Sequence, residues 1–290
     1  MKKVILLLFT LILVAACGKQ SKKGDNKPVI TVSIEPQCYF VEALAKDFFK
    51  IDCMVPRGSS PETYDPNPKQ LVNLEKSAIY LRIGYIGYEQ QWIDKLVSNA
   101  PHIEIFDISK GIDLITEPGV DRPIDHNMSK IEPHLWCSPK NAYIIAKNTL
   151  DILTSFDRKH DKIYQARYDS LYKEINKVDG NIRHELSKPG TDKAFAIYHP
   201  SLSYFARDYG LTQIAIEDHG KEPSPAELKD IIVRCKAAGV HTIFIQPEFD
   251  KHNAQIIANQ IGAKIVSINP LNKDWSNEMI AIAKQLSHTK

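Results

Sequence analysis

The sequence predicts an α/β protein: two lobes of parallel sheet flanked by helices, joined by one long rigid helix. Three observations predict it. Short β-branched runs alternate with helical patterns in each half of the chain, the rhythm of a parallel sheet covered by helices. Between the halves, Tyr164, Tyr168, Leu171, Ile175, Val178, Ile182 and Leu186 recur every three or four residues. That is one apolar stripe on a helix of about thirty residues, ~45 Å long. The 290 residues are enough for two domains, each with a sizeable core.

The elements follow in order. Lys2 and Lys3 precede an apolar run over residues 4–14, then Ala15, Ala16 and Cys17. A basic start, an apolar stretch of about 7–15 residues and small residues before a cut describe a secretory signal over residues 1–16. The run is shorter than the ~20 residues a spanning helix needs. Residues 17–27 are polar, lack apolar periodicity and read as a flexible tether. Strands are expected at 29–34, 51–55, 78–83 and 103–106, with helices at 41–49, 71–76 and 90–97. Residues 107–133 are rich in Gly, Pro and Asp and read as a long loop. Ser138-Pro139 then opens a helix, with Ser as N-cap and Pro at the first position. These make an N-terminal lobe, 28–157.

The connecting helix is expected over 158–188, ended by Pro189-Gly190. A coiled-coil dimer would give a similar stripe. Because the helix joins two α/β patterns, it is read as an internal brace in a monomer. The C-terminal lobe, 189–290, carries strands at 194–198, 213–217, 242–246 and 264–268. Its clearest helix starts at Ser224-Pro225-Ala226-Glu227, a capping box with Pro at the first position.

Composition narrows the function. Lys plus Arg is 37 against 35 Asp plus Glu, hydrophobic residues are 43% and charged residues 25%. A disordered chain, a collagen and a disulfide-dense miniprotein are excluded. The balance argues against a nucleic-acid partner, which calls for a basic excess. Cys38, Cys53, Cys137 and Cys235 contain no C-x2-C pair of a zinc ribbon. They read as buried free thiols, with Cys38–Cys53 the pairing to test first in an oxidising compartment.

In open α/β sheets ligands bind beyond the carboxyl ends of the strands. Four candidates follow strands or the long loop: Glu62, His134, His199 and Asn269, two from each lobe. Two imidazoles and a carboxylate make a site for a first-row divalent metal, zinc above all. Neighbouring prolines would stiffen the loops. Glu217, His219 and Glu248 lie beside the same cleft as supporting or reserve groups. Tyr64, Trp136 and Tyr204 are expected to pack near it. His102 and His241 precede strands at the far end. His160, His184, His252 and His288 fall on helical patterns and are expected to be solvated.

The segments 58–68, 132–139, 196–210 and 266–275 resemble the metal-binding lipoproteins that deliver zinc or manganese to ABC importers. Glu222-Pro223-Ser224-Pro225-Ala226-Glu227-Leu228 is similar to a further family segment. The resemblance implies the metal-binding class of periplasmic binding protein. It implies no catalysis, Zn2+ as the bound ion with Mn2+ or Fe2+ as alternatives, and a membrane permease as partner. Leu13-Val14-Ala15-Ala16-Cys17 resembles a bacterial lipoprotein signal, which implies cleavage before Cys17, a lipid on it and attachment to the cell envelope. His134 matches the family's second histidine, in its Pro-His-x-Trp context, and His199 the third ligand. The first ligand position, usually His, is Glu62, and the fourth, usually Asp, is Asn269. The loop at 121–127 lies where zinc-type members carry a His-rich insert and holds one His, so little scavenging is expected there.

Two other classes compete. A zinc metallohydrolase would also leave an open metal position, but the chain has no H-E-x-x-H and no G-x-S-x-G. A surface adhesin would use the metal structurally.

Overall fold

The computed structural model describes residues 27–116, 131–217 and 220–287. The signal and Cys17, the insert loop at 121–127, His219 and His288 lie outside them.

The first lobe runs β1 (Val29–Val32), α1 (Glu35–Ala45), β2 (Lys50–Cys53), α2 (Pro68–Leu74), β3 (Ser77–Arg82), α3 (Gly87–Asn99) and β4 (Glu104–Asp107). Then come α4 (Pro139–Phe156), a 3-10 turn (Arg158–His160) and the long α5 (Asp161–Leu186). The second lobe runs β5 (Ala194–Ile197), α6 (Ser203–Tyr209), β6 (Thr212–Ala215), α7 (Pro225–Ala237), β7 (Thr242–Ile245), α8 (His252–Ile261), β8 (Lys264–Ser267) and α9 (Trp275–Leu286). The sheets are ordered β2-β1-β3-β4 and β6-β5-β7-β8, and every pairing is parallel. Each sheet therefore changes direction beside its first strand, where parallel sheets open a crevice.

Several boundaries differ from the sequence expectation. α1 starts six residues before the expected 41. Gln37 explains this: its Oε1 accepts from the backbone N–H of Ser33 and Ile34, both at 2.9 Å. Its Nε2 donates to Leu81 O at 2.9 Å. A side chain thus does the capping, so no Ser, Thr, Asn or Asp marks the start. α2 begins at Pro68 because Asn67 caps it, with Gln70 reaching back to the Asn67 N–H. Ser138 and Ser224 cap α4 and α7 as expected.

α5 has 26 residues, about 39 Å at the α-helical rise. The stripe residues Tyr164, Leu171, Ile175, Val178, Ile182 and Leu186 are buried, against α4, α9 and α1. The apolar face is consumed inside the chain, as a brace requires.

One core cluster joins the first lobe, α5, α9 and one face of the second sheet. A smaller one fills the other face, under α7 and α8. Buried hydrogen bonds from two tryptophans also cross between the lobes. Trp136 Nε1 donates to Pro270 O at 2.8 Å, and Trp275 Nε1 donates to Trp136 O at 2.7 Å. Among the described residues no helix is long and apolar enough to cross a membrane.

Candidate metal centre

His199 sits two residues beyond β5. Gln246, just past β7, clamps its backbone: Gln246 Nε2 donates to His199 O at 2.7 Å, and the His199 N–H reaches Gln246 Oε1 at 3.3 Å. The two strands that flank the crevice thereby set one imidazole. His134 lies in the segment before α4, held by a turn in which the Cys137 N–H donates to His134 O at 3.1 Å. Asn141 Nδ2 secures the next carbonyl, Leu135 O, at 3.0 Å.

The two rings meet across the lobes. His134 Nε2 and His199 Nε2 are 3.1 Å apart. Behind each ring stands a buried carboxylate. His134 Nδ1 lies 2.5 Å from Glu132 Oε1, and His199 Nδ1 lies 2.5 Å from Glu217 Oε1. A carboxylate accepts only, so each Nδ1 carries the hydrogen in the neutral ring and each Nε2 presents a lone pair. Two lone pairs at that distance repel unless a proton or a cation lies between them. Burial pulls the His134 imidazolium pKa down, but the Glu132 charge and hydrogen bond, with Glu62 and Glu217 beyond, hold it above its ordinary value. Burial likewise raises Glu132, and its contacts with His134 and Ser203 outweigh that and keep it below the usual range.

Glu62 lines the same pocket as the two histidines. Its Oε2 accepts from the Gly87 N–H at 3.1 Å, at the start of α3, where the helix dipole favours an anion. The Tyr88 N–H donates to Pro61 O at 2.9 Å. A Cβ at Gly87 would collide with Glu62 O, so glycine permits this approach. Glu62 Oε1 is buried with no hydrogen-bond partner, an oxygen suited to a cation. Among the described residues no three His, Cys, Asp or Glu side chains are already gathered tightly enough to hold a metal ion. The imidazoles are in contact with one another, and Glu62 borders the same pocket.

The remaining candidates fall differently. Asn269 is exposed, and its Oδ1 accepts from the Leu271 N–H at 3.1 Å. Its neighbours Pro270 and Leu271 line the pocket. Glu248 lines the pocket from an exposed position. Trp136 borders His134, ring centroids 5.2 Å apart. Tyr204 touches the site indirectly, its hydroxyl donating to Glu132 O at 2.9 Å. Tyr64 instead bonds Gln70. His102, His184, His241 and His252 are exposed. His160 is not on a helix but in the 3-10 turn, stacked on Phe48 at 3.7 Å and bonded to Asp157. Its ring flatness found a partner that periodicity does not reveal.

The sequence reading missed Glu132, Gln246 and Phe249. Phe249 stacks on His199 with centroids 5.5 Å apart and planes 18° apart, shielding the ring from water. Glu132 carried a signal: a carboxylate two residues before His, with Pro133 stiffening the turn between.

The comparisons with known proteins show the family and the fold. The family model described as "Zinc-uptake complex component A periplasmic" matches residues 30–287. The chain is 25% identical to the high-affinity zinc uptake system protein ZnuA of Bacillus subtilis, over 90% of this chain and 85% of that one. It is 24% identical to the iron ABC transporter substrate-binding lipoprotein MtsA of Streptococcus pyogenes, over 90% and 84%. A crystal structure of ZnuA superposes with a TM-score of 0.82 at 32% identity, covering 91% of this chain and 99% of that one.

Proposed function

Since the chain belongs to the family of periplasmic zinc-uptake components, we propose that it captures a divalent transition metal between its lobes and delivers it to an ABC-type permease. It is a binding protein and not an enzyme. Family membership favours neither the metallohydrolase nor the adhesin reading. The metal is cargo.

One observation carries the reading: two Nε2 lone pairs 3.1 Å apart, each ring backed by a buried carboxylate. Metal-bound histidines are oriented in this way by a carboxylate on the far nitrogen. The ligands are His134 Nε2, His199 Nε2 and Glu62 Oε1. Insertion of a cation separates the imidazoles slightly and draws Glu62 inward. Asn269 joins only by giving up the Leu271 N–H, and otherwise water completes the fourth position. Counting Glu62, Glu132 and Glu217, three carboxylates face a 2+ ion with both histidines neutral. Two imidazoles favour zinc, and a carboxylate in place of a third imidazole moves the set toward manganese or iron. Zinc is the leading cargo, with Mn2+ and Fe2+ the alternatives.

The same reading places the protein outside the cytoplasmic membrane as a monomer, tethered by lipid on Cys17. Metal analysis of natively purified protein tests the site. One equivalent of zinc is expected in the wild type, with loss in Glu62→Ala and His199→Ala. Full stoichiometry in both variants would refute the ligand assignment.

A further inference from the structure

Away from the metal centre, the fold brings two thiols together. Cys38 lies in the first half of α1 and is 6% exposed. Cys53 is the last residue of β2. They are fifteen residues apart in sequence, and α1 packs on β2. The Cys53 thiol sits beside that of Cys38, and that contact, with burial, pushes it far above the ordinary thiol value. The same Sγ lies 3.3 Å from Val55 O and 3.7 Å from Ser33 O, so it is held between the end of its own strand and the entry to α1. Cys137 and Cys235 are each buried in a different core cluster, among apolar side chains.

We propose that Cys38 and Cys53 form a disulfide that staples β2 to α1. β2 is an edge strand, bonded to β1 alone, and an edge is where a sheet opens first. The chain leaves β2 at Cys53 to enter the loop that carries Glu62. The bond therefore restrains both the edge and the root of that loop.

The reaction balances with a disulfide oxidant such as oxidised glutathione or a thiol oxidoreductase. One thiolate attacks the oxidant's disulfide and releases a thiol. The second thiolate then displaces the remaining half from the mixed disulfide. Two electrons and two protons pass to the oxidant, which leaves as two thiols. Once folded, Cys38 is buried and Cys53 is half-buried with its thiol raised, so the bond forms during folding, while both are still accessible. An oxidising environment follows from the exported location argued above. The test supplies its own oxidant and uses no metal, so its outcome is separate from that of the metal-binding reading.

The reduced, unfolded full-length protein is refolded in a buffer of reduced and oxidised glutathione. It is quenched with acid, alkylated under denaturing conditions, digested without reductant and mapped by mass spectrometry. The expected product is the Cys38 peptide joined to the Cys53 peptide, two hydrogens lighter than the pair, with Cys137 and Cys235 alkylated. Adding reductant to the oxidised protein should lower its Tm by about 5 °C, the scale for a short closed loop in a chain of this size. The Cys38→Ser/Cys53→Ser protein should show no such sensitivity. Folded wild-type protein in which both cysteines are alkylated would overturn the proposal, as would linkage of either to Cys137 or Cys235. The mapping uses the wild type alone, so a variant that fails to fold leaves the test intact.

Discussion

His134 Nε2 and His199 Nε2 face one another at 3.1 Å across the two lobes. Both ring nitrogens on the far side are held by buried carboxylates, which leaves a lone pair on each Nε2, the pair of donors that the proposed metal site uses. Binding and stability therefore share the same atoms.

Acid should act in opposite directions on the metal-free and metal-loaded protein. The folded pKa of His134 is raised, so its protonation stabilises the metal-free fold. That contribution is full below the unfolded value of about 6.5 and is lost as pH rises through the folded pKa. Binding requires the neutral ring, so metal affinity falls as pH drops through the same window. Chelator competition and thermal melts between pH 5 and 8 should show both trends, and affinity that does not change across that range would contradict the ligand role of His134.

Glu132→Gln and Glu217→Gln each remove the charge behind one imidazole while keeping its shape. Each should weaken metal binding by about 10–100-fold, the usual effect of losing a carboxylate partner of a ligating histidine. Competition with a chelator of known affinity measures it. Wild-type affinity in both would show that the carboxylates serve only the fold.

Glu62→His restores a third imidazole at the first ligand position. Softer ligands favour zinc, so the ratio of zinc to manganese affinity should rise. If residue 62 does not touch the ion, Glu62→His and Glu62→Ala should both keep the wild-type ratio, which paired titrations with the two metals would reveal.

Glu89 offers a second acid-sensitive point. Burial outweighs its bonds to Ser33, Ile83 and Gly84 and raises it to about 7. A raised carboxyl costs stability as pH climbs from about 4.5 to 7, of order 3 kcal/mol in full. Glu89→Gln should flatten the loss of stability across that range in urea titrations, whereas equal slopes for variant and wild type would exclude Glu89 as the source.

Trp275→Phe deletes the donor to Trp136 O and leaves a buried carbonyl unpaired, which should cost about 1–3 kcal/mol. The two tryptophan bonds and the α5 brace tie the lobes rigidly. Small-angle scattering with and without metal should superpose, and a large domain rotation on loading would contradict this.

Much of the architecture was readable because it follows local rules. The long stripe of α5, the capping serines at 138 and 224 and the β-branched runs are one-dimensional signals. The start of α1 was hidden because Gln37 caps it through a long side chain that also reaches Leu81 O on a neighbouring strand, whereas the Asn67–Gln70 box that opens α2 is a local signal the sequence reading passed over. At the centre, His134 and His199 could be named from their positions after turns and strands. Glu132, Gln246 and Phe249 acquired roles only through contact with those rings.

Periodicity and punctuation along the chain were sufficient for two parallel α/β lobes and a bracing helix, because backbone preference and burial act over a few neighbouring residues. The meeting of the two Nε2 atoms came from elsewhere. It required α5, Trp136 and Trp275 to set one lobe against the other, since hydrogen bonds between residues more than a hundred positions apart leave no trace in local spacing. The same packing turned Glu62 toward the N-terminus of α3 and turned the Asn269 side chain toward its own backbone.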